Sequence, residues 1–292
     1  MGVAGTGAWA KLAHVPGLAA HPGVELRGVW GRNPQSAAEL ASEYNTDAYS
    51  DLERFIDSVD AVAVAVPPNV QREVAVIAAR RGRHLVLEKP LAETVREAED
   101  IATAVETSGV AAVMCLPRFF DPEHRRWLDD ARIAEPVRMS VSWRSGALLE
   151  GSAFAGGWRD GSGQLVDVGP HIVSQLEYVL GPIVSARTVD QDGLLVQFTH
   201  DEGRQSEALI DLRDPTRDEE LYSAVDVSIP DRVHPLDFSL AYTRIIDQLL
   251  TEINDGVSGT ALWSPRRSVA HVDIITALRH TGRWNQKAAP AS

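Results

Sequence analysis

The stretch Val3-Ala4-Gly5-Thr6-Gly7-Ala8-Trp9-Ala10 decides the fold of the first half of the chain. It follows a short apolar segment and has the spacing G-x-G-x-x-A. Gly5 permits a tight turn, Gly7 allows a phosphate to approach the main chain, and Ala10 allows a helix to pack closely on a strand. The helix that begins here would present free N–H groups and the positive end of its dipole to a dinucleotide pyrophosphate. The loop residues expected to contact such a cofactor are Gly5, Thr6, Gly7, Ala8 and Trp9.

Short apolar segments alternate with helical patterns from this loop to about residue 117. Runs that are apolar at every position are typical of strands buried on both faces of a parallel sheet. Helix ends are also readable: Asn33 precedes a proline, Thr94 and Glu97 match a capping box, and Gly109 follows the last helical residue. The predicted strands after the loop are Val24–Trp30, Ala61–Val66, His84–Leu87 and Val110–Leu116. Residues 1–117 are therefore predicted to form a Rossmann domain, a doubly wound parallel α/β fold that binds ligands at the carboxyl ends of its strands.

Beyond residue 117, strands with alternating apolar and polar residues replace the continuously apolar ones. Such alternation is typical of a sheet with one buried face. The predicted strands are Val137–Arg144, Ile183–Val189, Leu194–His200, Ser206–Leu212 and Leu221–Ile229. The predicted helices are Pro122–Ala131, His171–Leu180, Phe238–Asn254 and Pro265–Thr281, with a glycine-rich loop before the second of them. Residues 118–292 are therefore predicted to form an α+β domain with an open, mostly antiparallel sheet.

Composition excludes several classes of partner. The chain has 292 residues, of which 44% are hydrophobic, and a formal net charge of −13. This charge disfavours binding to nucleic acid or to anionic lipid, because both would be repelled. The apolar runs are shorter than the roughly 18 residues of a membrane span. The single cysteine, Cys115, fits a reducing compartment, and its apolar surroundings favour a small core residue over a reactive thiol. We therefore expect a folded cytoplasmic protein with no nucleic-acid, membrane or metal-ion partner.

The segment Gly31-Arg32-Asn33 bears on the choice of dinucleotide. It follows the second predicted strand, where NAD-preferring Rossmann domains place an acidic residue for the ribose 2′-hydroxyl. No Asp or Glu stands there in this chain. Arg32 could instead pair with a 2′-phosphate and stack on the adenine. The alternative is that Arg32 is simply a solvent-facing arginine beside a helix cap. Between the two cofactors, the segment favours NADP over NAD.

Three further motifs extend the comparison beyond the loop: Ala65-Val66-Pro67-Pro68, Glu88-Lys89-Pro90 and Asp167-Val168-Gly169-Pro170-His171. With the glycine loop, their order and spacing resemble the Gfo/Idh/MocA family, the glucose–fructose oxidoreductase and inositol dehydrogenase group, over nearly the whole chain. Members of that family have a Rossmann domain followed by an open-sheet domain. Most oxidise or reduce a hydroxyl or carbonyl group of a sugar, cyclitol or related compound with a nicotinamide cofactor.

The resemblance implies catalytic roles for Lys89, Asp167 and His171. Lys89 belongs to the Glu-Lys-Pro motif, whose Lys–Pro bond is cis in relatives, and its charge would hold the substrate oxygen. His171 suits the transfer of the hydroxyl proton, because imidazole titrates near neutral pH, and Asp167 would orient the ring or the substrate. Taken singly, these residues would be a surface charge, a helix cap and a core histidine. The cofactor set implied beyond the loop is Arg32, Asn33, Pro67, Glu88 and Lys89.

Substrate contacts are implied for Arg118, Trp158 and Arg159, together with the proposed histidine. An indole can stack on the C–H surface of a sugar and an arginine can bind hydroxyls or carboxylates, although loop anchoring explains Trp158-Arg159 equally well. The chain departs from the family at Gln71, where a histidine is common, and at Ser174, where an aspartate is common. Both changes alter the surroundings of the proposed catalytic residues rather than those residues.

The resemblance thus predicts an NAD(P)-dependent oxidoreductase that acts on a hydroxyl or carbonyl group of a sugar, cyclitol or similar small molecule. One alternative is a glycoside hydrolase that uses a bound nicotinamide for transient oxidation. Another is a non-catalytic regulator that binds a dinucleotide, which the catalytic-type residues disfavour because a sensor needs no proton acceptor. By analogy with the family, the exposed face of the second sheet predicts a homodimer or homotetramer.

Overall fold

The structure, a computed structural model, describes residues 1–152, 158–189, 194–233, 237–256 and 263–286, with the backbone alone at 158–162 and 233. Its contacts divide the chain into two compact units. Unit 1 comprises Met1–Asp121 and Leu236–Val272, and unit 2 comprises Pro122–Pro235 and Asp273–Ser292. This grouping differs from the predicted division into residues 1–117 and 118–292, because a late segment of the chain returns to unit 1.

Unit 1 contains a six-stranded sheet in the order β3-β2-β1-β4-β5-β6, in which every neighbouring pair is parallel. The strands are β1 (Gly2–Ala4), β2 (Gly28–Trp30), β3 (Asp47–Tyr49), β4 (Ala61–Val64), β5 (His84–Leu87) and β6 (Ala112–Met114). The helices are α1 (Val15–Ala20), α2 (Pro34–Glu43), α3 (Leu52–Asp57), α4 (Pro68–Arg80), α5 (Val95–Ser108), α6 (Pro117–Phe120) and α9 (Phe238–Asp255). This strand order confirms the predicted doubly wound Rossmann fold.

Local sequence explains the helix ends of unit 1. The Asn33 side chain accepts hydrogen bonds from two backbone N–H groups at the start of α2. Thr94 and Glu97 form the predicted capping box at the start of α5, and Gly109 ends that helix with a φ of 65°. Strand β3 and helix α3 were not predicted, because β3 is a three-residue, largely exposed edge strand with no apolar run.

Helix α9 completes the core of unit 1. Its buried side chains include Tyr242, Ile246 and Leu249, which join one apolar cluster with residues of β1, β2 and α1. The Tyr242 ring lies directly against Gly17 of α1, where an added Cβ would overlap it. Burying each such side chain contributes about 1.5–3 kcal/mol. This burial explains why the segment after residue 235 belongs to unit 1.

Unit 2 contains a seven-stranded sheet in the order β12-β11-β7-β10-β9-β8-β13. The strands are β7 (Arg138–Arg144), β8 (Ile183–Thr188), β9 (Leu194–His200), β10 (Gln205–Asp211), β11 (Glu219–Ala224), β12 (Arg232–Val233) and β13 (Arg283–Asn285). Neighbouring strands are antiparallel except β7 and β10, which pair in parallel. The predicted α+β class with a mostly antiparallel sheet is therefore confirmed.

Two helices, α7 (Pro122–Ala134) and α8 (Trp158–Leu180), belong to unit 2, and α10 (Pro265–Thr281) begins in unit 1 and ends in unit 2. Helix α8 begins before the predicted start at His171, because the backbone is already helical within the expected glycine-rich loop. Its course is broken at Gly163, which has a φ of 76°. Within the described residues, no helix is both long and apolar enough to cross a membrane.

The two faces of the unit 2 sheet differ in burial. Along β7, Met139, Val141 and Trp143 are buried, whereas Ser140 and Ser142 between them are partly exposed. Strands β9 and β10 alternate in the same way. Helix α8 contacts β7, β9 and β10. The sheet therefore has one face covered by helix and one open face, as the alternating sequence predicts.

Candidate active site

The glycine-rich loop lies at the carboxyl edge of the unit 1 sheet. Gly5, with a φ of 138°, donates its N–H to the Trp30 carbonyl at 2.8 Å, and a Cβ at Gly5 would overlap the carbonyl oxygen of Ala65. A Cβ at Gly7 would instead meet no atom within 4 Å. The loop is therefore packed against the sheet at its first glycine and open at its second, as a backbone cradle for phosphate requires.

Trp9 connects this loop to two other elements. Its indole makes an edge contact with Phe238 of α9, with ring centroids 4.6 Å apart, and its Nε1 donates to Glu88 Oε1 at 2.7 Å. The backbone that follows makes a π-helical turn at Ala10–His14 before it continues as α1. Such turns are frequent at functional sites. The half-buried indole thus fixes the loop to α9 and to the end of β5.

Gln71 holds the turn that carries Lys89. This turn follows β5, and its Lys89–Pro90 bond is cis, as the resemblance implies. Gln71 is completely buried in α4, and its Oε1 accepts the Glu88 N–H at 2.9 Å. Its Nε2 lies 2.7, 3.2 and 3.0 Å from the carbonyl oxygens of Glu88, Pro90 and Leu91. One side-chain amide therefore satisfies several backbone groups around the half-buried Lys89.

The Glu88 carboxylate points into unit 1. Its Oε1 accepts from Trp9 and lies 2.8 Å from His14 Nε2, and its Oε2 accepts the Lys89 N–H at 3.3 Å. Burial alone would raise the pKa of Glu88, but the hydrogen bond and charge of His14 and the charge of Lys89 lower it below its usual value. Glu88 is therefore a buried carboxylate at neutral pH. Its predicted contact with the cofactor stays a prediction.

Cys115 and Tyr242 border the same carboxylate. Burial, together with the charge of Glu88, raises the pKa of the Cys115 thiol well above its usual value, and burial does the same for Tyr242. Both groups therefore keep their protons. The ligand-type atoms of His14, Glu88 and Cys115 lie within 4.8 Å of one another. His14 and Cys115 both make hydrogen bonds to the Glu88 carboxylate. These three residues therefore form a hydrogen-bonded cluster.

The remaining predicted residues of unit 1 follow the carboxyl ends of β2, β4 and β6. Arg32 and Asn33 are exposed after β2, and the Asn33 side chain caps α2. Pro67 is half-buried at the start of α4, and Arg118 is half-buried in α6. The structure thus brings these residues to the same sheet edge as the glycine-rich loop and Lys89.

Unit 2 holds the other predicted catalytic residues. Asp167 and His171 lie one turn apart on α8 and are only 7% and 4% exposed. The His171 ring stacks on Trp143 of β7, with centroids 5.9 Å apart and planes inclined by 26°. The His171 carbonyl accepts hydrogen bonds from the Ser174 hydroxyl at 2.9 Å and the Gln175 amide at 2.7 Å. The predicted pair therefore shares one helix face, and the indole constrains the orientation of the imidazole.

The side chains of Trp158 and Arg159 lie outside the described residues. Their predicted contacts with substrate therefore stay predictions. The backbone of both residues begins α8.

The chain is similar to known proteins both in sequence and in fold. Residues 1–115 match the model of a family described as "Oxidoreductase family, NAD-binding Rossmann fold". This part of the chain is therefore similar to the Gfo/Idh/MocA family. The resemblance inferred from the motifs is thereby confirmed. The scyllo-inositol 2-dehydrogenase (NADP(+)) of Bacillus subtilis is 29% identical over 163 residues, which are 51% of this chain and 48% of that protein. The chain spans about half the length of the curated relatives it matches.

Solved structures extend the likeness to nearly the whole chain. An oxidoreductase from Thermotoga maritima aligns with a TM-score of 0.83 at 20% identity and covers 97% of both chains. The myo-inositol dehydrogenase from Lactobacillus casei, solved with NAD(H) and myo-inositol, aligns with a TM-score of 0.81 at 17% identity, covering 100% of this chain and 97% of its own. At such identities the likeness shows the fold alone.

Several residues around the site were not predicted from the sequence. His14 and Tyr242 are 228 positions apart, and no local pattern joins them. Trp143 occupies a buried position of an alternating strand, so the pattern predicted its burial but not its contact with His171. Gln71 departs from the family at a position where a histidine is common, and no sequence pattern indicates that its side chain holds the Lys89 turn.

We expect Gln71→Leu to destabilise unit 1 by about 3 kcal/mol or more, because it leaves buried backbone donors and acceptors of the Lys89 turn without partners. Chemical denaturation measures the change. Gln35→Leu, on the exposed face of α2, is the matched control and should shift stability by less than about 0.5 kcal/mol. Equal stability of the two variants would contradict the role assigned to Gln71.

Proposed function

We propose that this protein is an NAD(P)-dependent oxidoreductase that transfers a hydride between the nicotinamide and a hydroxyl or carbonyl group of a sugar, cyclitol or similar small molecule. The position of Lys89 carries the proposal: a half-buried lysine follows β5 at the sheet edge that bears the glycine-rich loop. The buried pair of Asp167 and His171 on α8 adds a proton acceptor. The similarity to the scyllo-inositol 2-dehydrogenase of Bacillus subtilis supports the same reaction class.

The loop fits a dinucleotide, because open space adjoins Gly7 where the main chain enters a helix. Backbone N–H groups from Thr6 to Trp9 would hold the pyrophosphate, since the Gly5 N–H already donates to the Trp30 carbonyl. When bound, the nicotinamide supplies the acceptor or donor of the hydride. The positive charge at Lys89 Nζ would hold the substrate oxygen and stabilise its alkoxide character.

In this proposal, a residue of α8 transfers the proton. During oxidation a ring nitrogen of His171 would take the hydroxyl proton, and during reduction it would return it. Asp167, one turn earlier on the same helix face, would orient the ring or the substrate. Arg118, Trp158 and Arg159 are the proposed substrate-binding residues, with hydroxyl or carboxylate groups as their targets.

A spectrophotometric screen of sugars, cyclitols and keto-sugars with NADPH/NADP and NADH/NAD tests this function directly. Net change in reduced cofactor supports the oxidoreductase. Glycosidic bond cleavage without net change would support the hydrolase alternative. Cofactor binding without turnover of any compound would favour the regulator.

On the substrate that the screen identifies, we expect Lys89→Ala and His171→Ala to lower kcat by about 100-fold or more, the usual contribution of a positioned acid or base. Cofactor affinity, measured by fluorescence titration, should change little. His280→Ala, at an exposed histidine of α10, is the matched control and should retain full activity. Turnover at the wild-type rate in both site variants would remove the catalytic assignment.

We infer that the cofactor is NADP rather than NAD. A Cβ at Gly31 would lie 2.7 Å from Thr6 Cγ2, so an acidic side chain could occupy this position only by displacing Thr6. The neighbouring Arg32 is exposed and follows β2 at the sheet edge. Its guanidinium suits bidentate binding of a ribose 2′-phosphate.

Arg32→Ala should therefore raise the KM for NADP(H) about tenfold, the order expected for losing a hydrogen bond to a charged group, and leave the KM for NAD(H) nearly unchanged. Steady-state kinetics with both cofactors provides the measurement. Arg54→Ala, at an exposed position of α3, serves as the control. A strong preference of the wild-type protein for NAD would refute the assignment.

We further propose that the open face of the unit 2 sheet pairs two copies of the chain. Half-buried Leu195, Leu209 and Leu221 belong to one cross-strand row that also includes Ser142. A depression of about 980 Å³ on the same sheet is lined mainly by polar residues, among them Arg187, and not by these leucines. An apolar row with a polar rim is typical of a protein interface. A cytoplasmic location stays a prediction from the sequence.

Leu209→Asp should convert a dimer or tetramer into a smaller species, because a buried unpaired charge opposes association. Sedimentation velocity measures the change. Ile133→Asp, at a residue of α7 that is 80% exposed, should leave the oligomer intact. A wild-type protein that sediments as a monomer would contradict the proposal.

A further inference from the structure

Four side chains form a continuous hydrogen-bonded chain inside unit 1. The Tyr242 hydroxyl lies 2.7 Å from His14 Nδ1, His14 Nε2 lies 2.8 Å from Glu88 Oε1, and Trp9 Nε1 lies 2.7 Å from the same carboxylate oxygen. The other oxygen, Oε2, accepts the Lys89 N–H. This series of hydrogen bonds therefore connects α9 to the glycine-rich loop and to the backbone of the proposed catalytic lysine.

Burial increases the energetic importance of these hydrogen bonds. His14 and Tyr242 are completely buried, and Glu88 is 8% exposed. A buried carboxylate is costly unless its oxygens are fully hydrogen-bonded and its charge is compensated. Here His14 and Lys89 provide that compensation, and burial also strengthens each bond. The geometry around Glu88 is consequently constrained on every side.

We propose that Glu88 is a positioning residue, whose buried carboxylate fixes Trp9 of the glycine-rich loop and the backbone of Lys89 relative to each other. Occupation of the loop by a dinucleotide and the placement of the lysine are then coupled through one side chain. This inference rests on the proposed function, in which the loop binds the dinucleotide and Lys89 holds the substrate oxygen. It gives Glu88 a role through other residues rather than through its own contact with cofactor.

Two substitutions break this connection in different places. Glu88→Gln keeps the shape but removes the charge, and any orientation of its amide sets an NH₂ group against the Lys89 N–H or against Trp9 and His14. Trp9→Phe removes the indole N–H together with the fused five-membered ring, and it keeps an aromatic ring beside Phe238. The double variant completes a thermodynamic cycle.

Unit 1 offers a matched control pair. Glu252, which is 5% exposed, accepts the Trp263 Nε1–H at 2.9 Å. Glu252 borders Gly109 and Ala112 at the amino end of β6, whereas the Trp263 ring packs against Phe120 and its carbonyl accepts the Met114 N–H at the other end of that strand. Trp263→Phe keeps that carbonyl and an aromatic ring, so Glu252→Gln and Trp263→Phe break a similar bond whose donor and acceptor are separate from the Glu88 network.

The measurements are the Kd for NADPH by fluorescence titration, kcat at saturating NADPH or NADP on the substrate found in the screen, and Tm. We expect Glu88→Gln to raise Kd about tenfold and to lower kcat about tenfold, the order expected for losing a hydrogen bond to a charged group. Trp9→Phe should change both quantities in the same direction, and the double variant should be no worse than Glu88→Gln. The control variants should lower Tm but keep the wild-type Kd and kcat.

The inference is overturned if Glu88→Gln and Trp9→Phe lower Tm alone, as the controls do, or if their effects on Kd simply add. If Glu88→Gln does not fold, Trp9→Phe decides the outcome, since a wild-type Kd and kcat in that variant refutes the coupling. Failure of the wild-type protein to bind NADPH or NADH would instead overturn the proposed function, and this inference with it. The two failures are therefore distinguishable.

Discussion

The contact between Gly5 and the carbonyl of Ala65 is the constraint on which the rest of the first unit depends. Because only a residue without a Cβ fits there, the main chain after β1 can turn tightly across the end of β4. The parallel order of the sheet brings the ends of β2, β4 and β5 to the same edge. The glycine-rich loop, Arg32 and Lys89 thereby lie at one edge of the sheet, although they come from distant parts of the sequence.

The buried charge of Glu88 imposes a second constraint. A carboxylate in the core requires donors on both oxygens, and these come from the loop, from the π-helical turn and from the backbone of Lys89. Tyr242 of α9 extends the same network, which gives the returning segment of the chain a polar role as well as an apolar one. Packing of α9 and compensation of the buried charge are therefore linked in this unit.

In the second unit, the difference between the two faces of the sheet determines the surroundings of His171. One face of its sheet is buried under α8. On that face the Trp143 indole stacks against the His171 ring. Hydrogen bonds from Ser174 and Gln175 to the His171 carbonyl add order to the helix at that point. The opposite face carries the half-buried row of Leu195, Leu209 and Leu221, on which the proposed pairing of two copies of the chain rests.

The sequence by itself determined the Rossmann class and the capped helices, because glycine spacing, capping boxes and strand periodicity are local properties. The candidate catalytic residues followed instead from the family resemblance of its motifs. The sequence also placed His84–Leu87 and Leu194–His200 at the strands that the structure contains. Only the tertiary structure decided that α9 returns to the first unit, that Gln71 holds the lysine turn, and that Glu88 faces inward. Those features depend on contacts between side chains up to 228 positions apart, such as His14 and Tyr242, and no local pattern encodes such a contact.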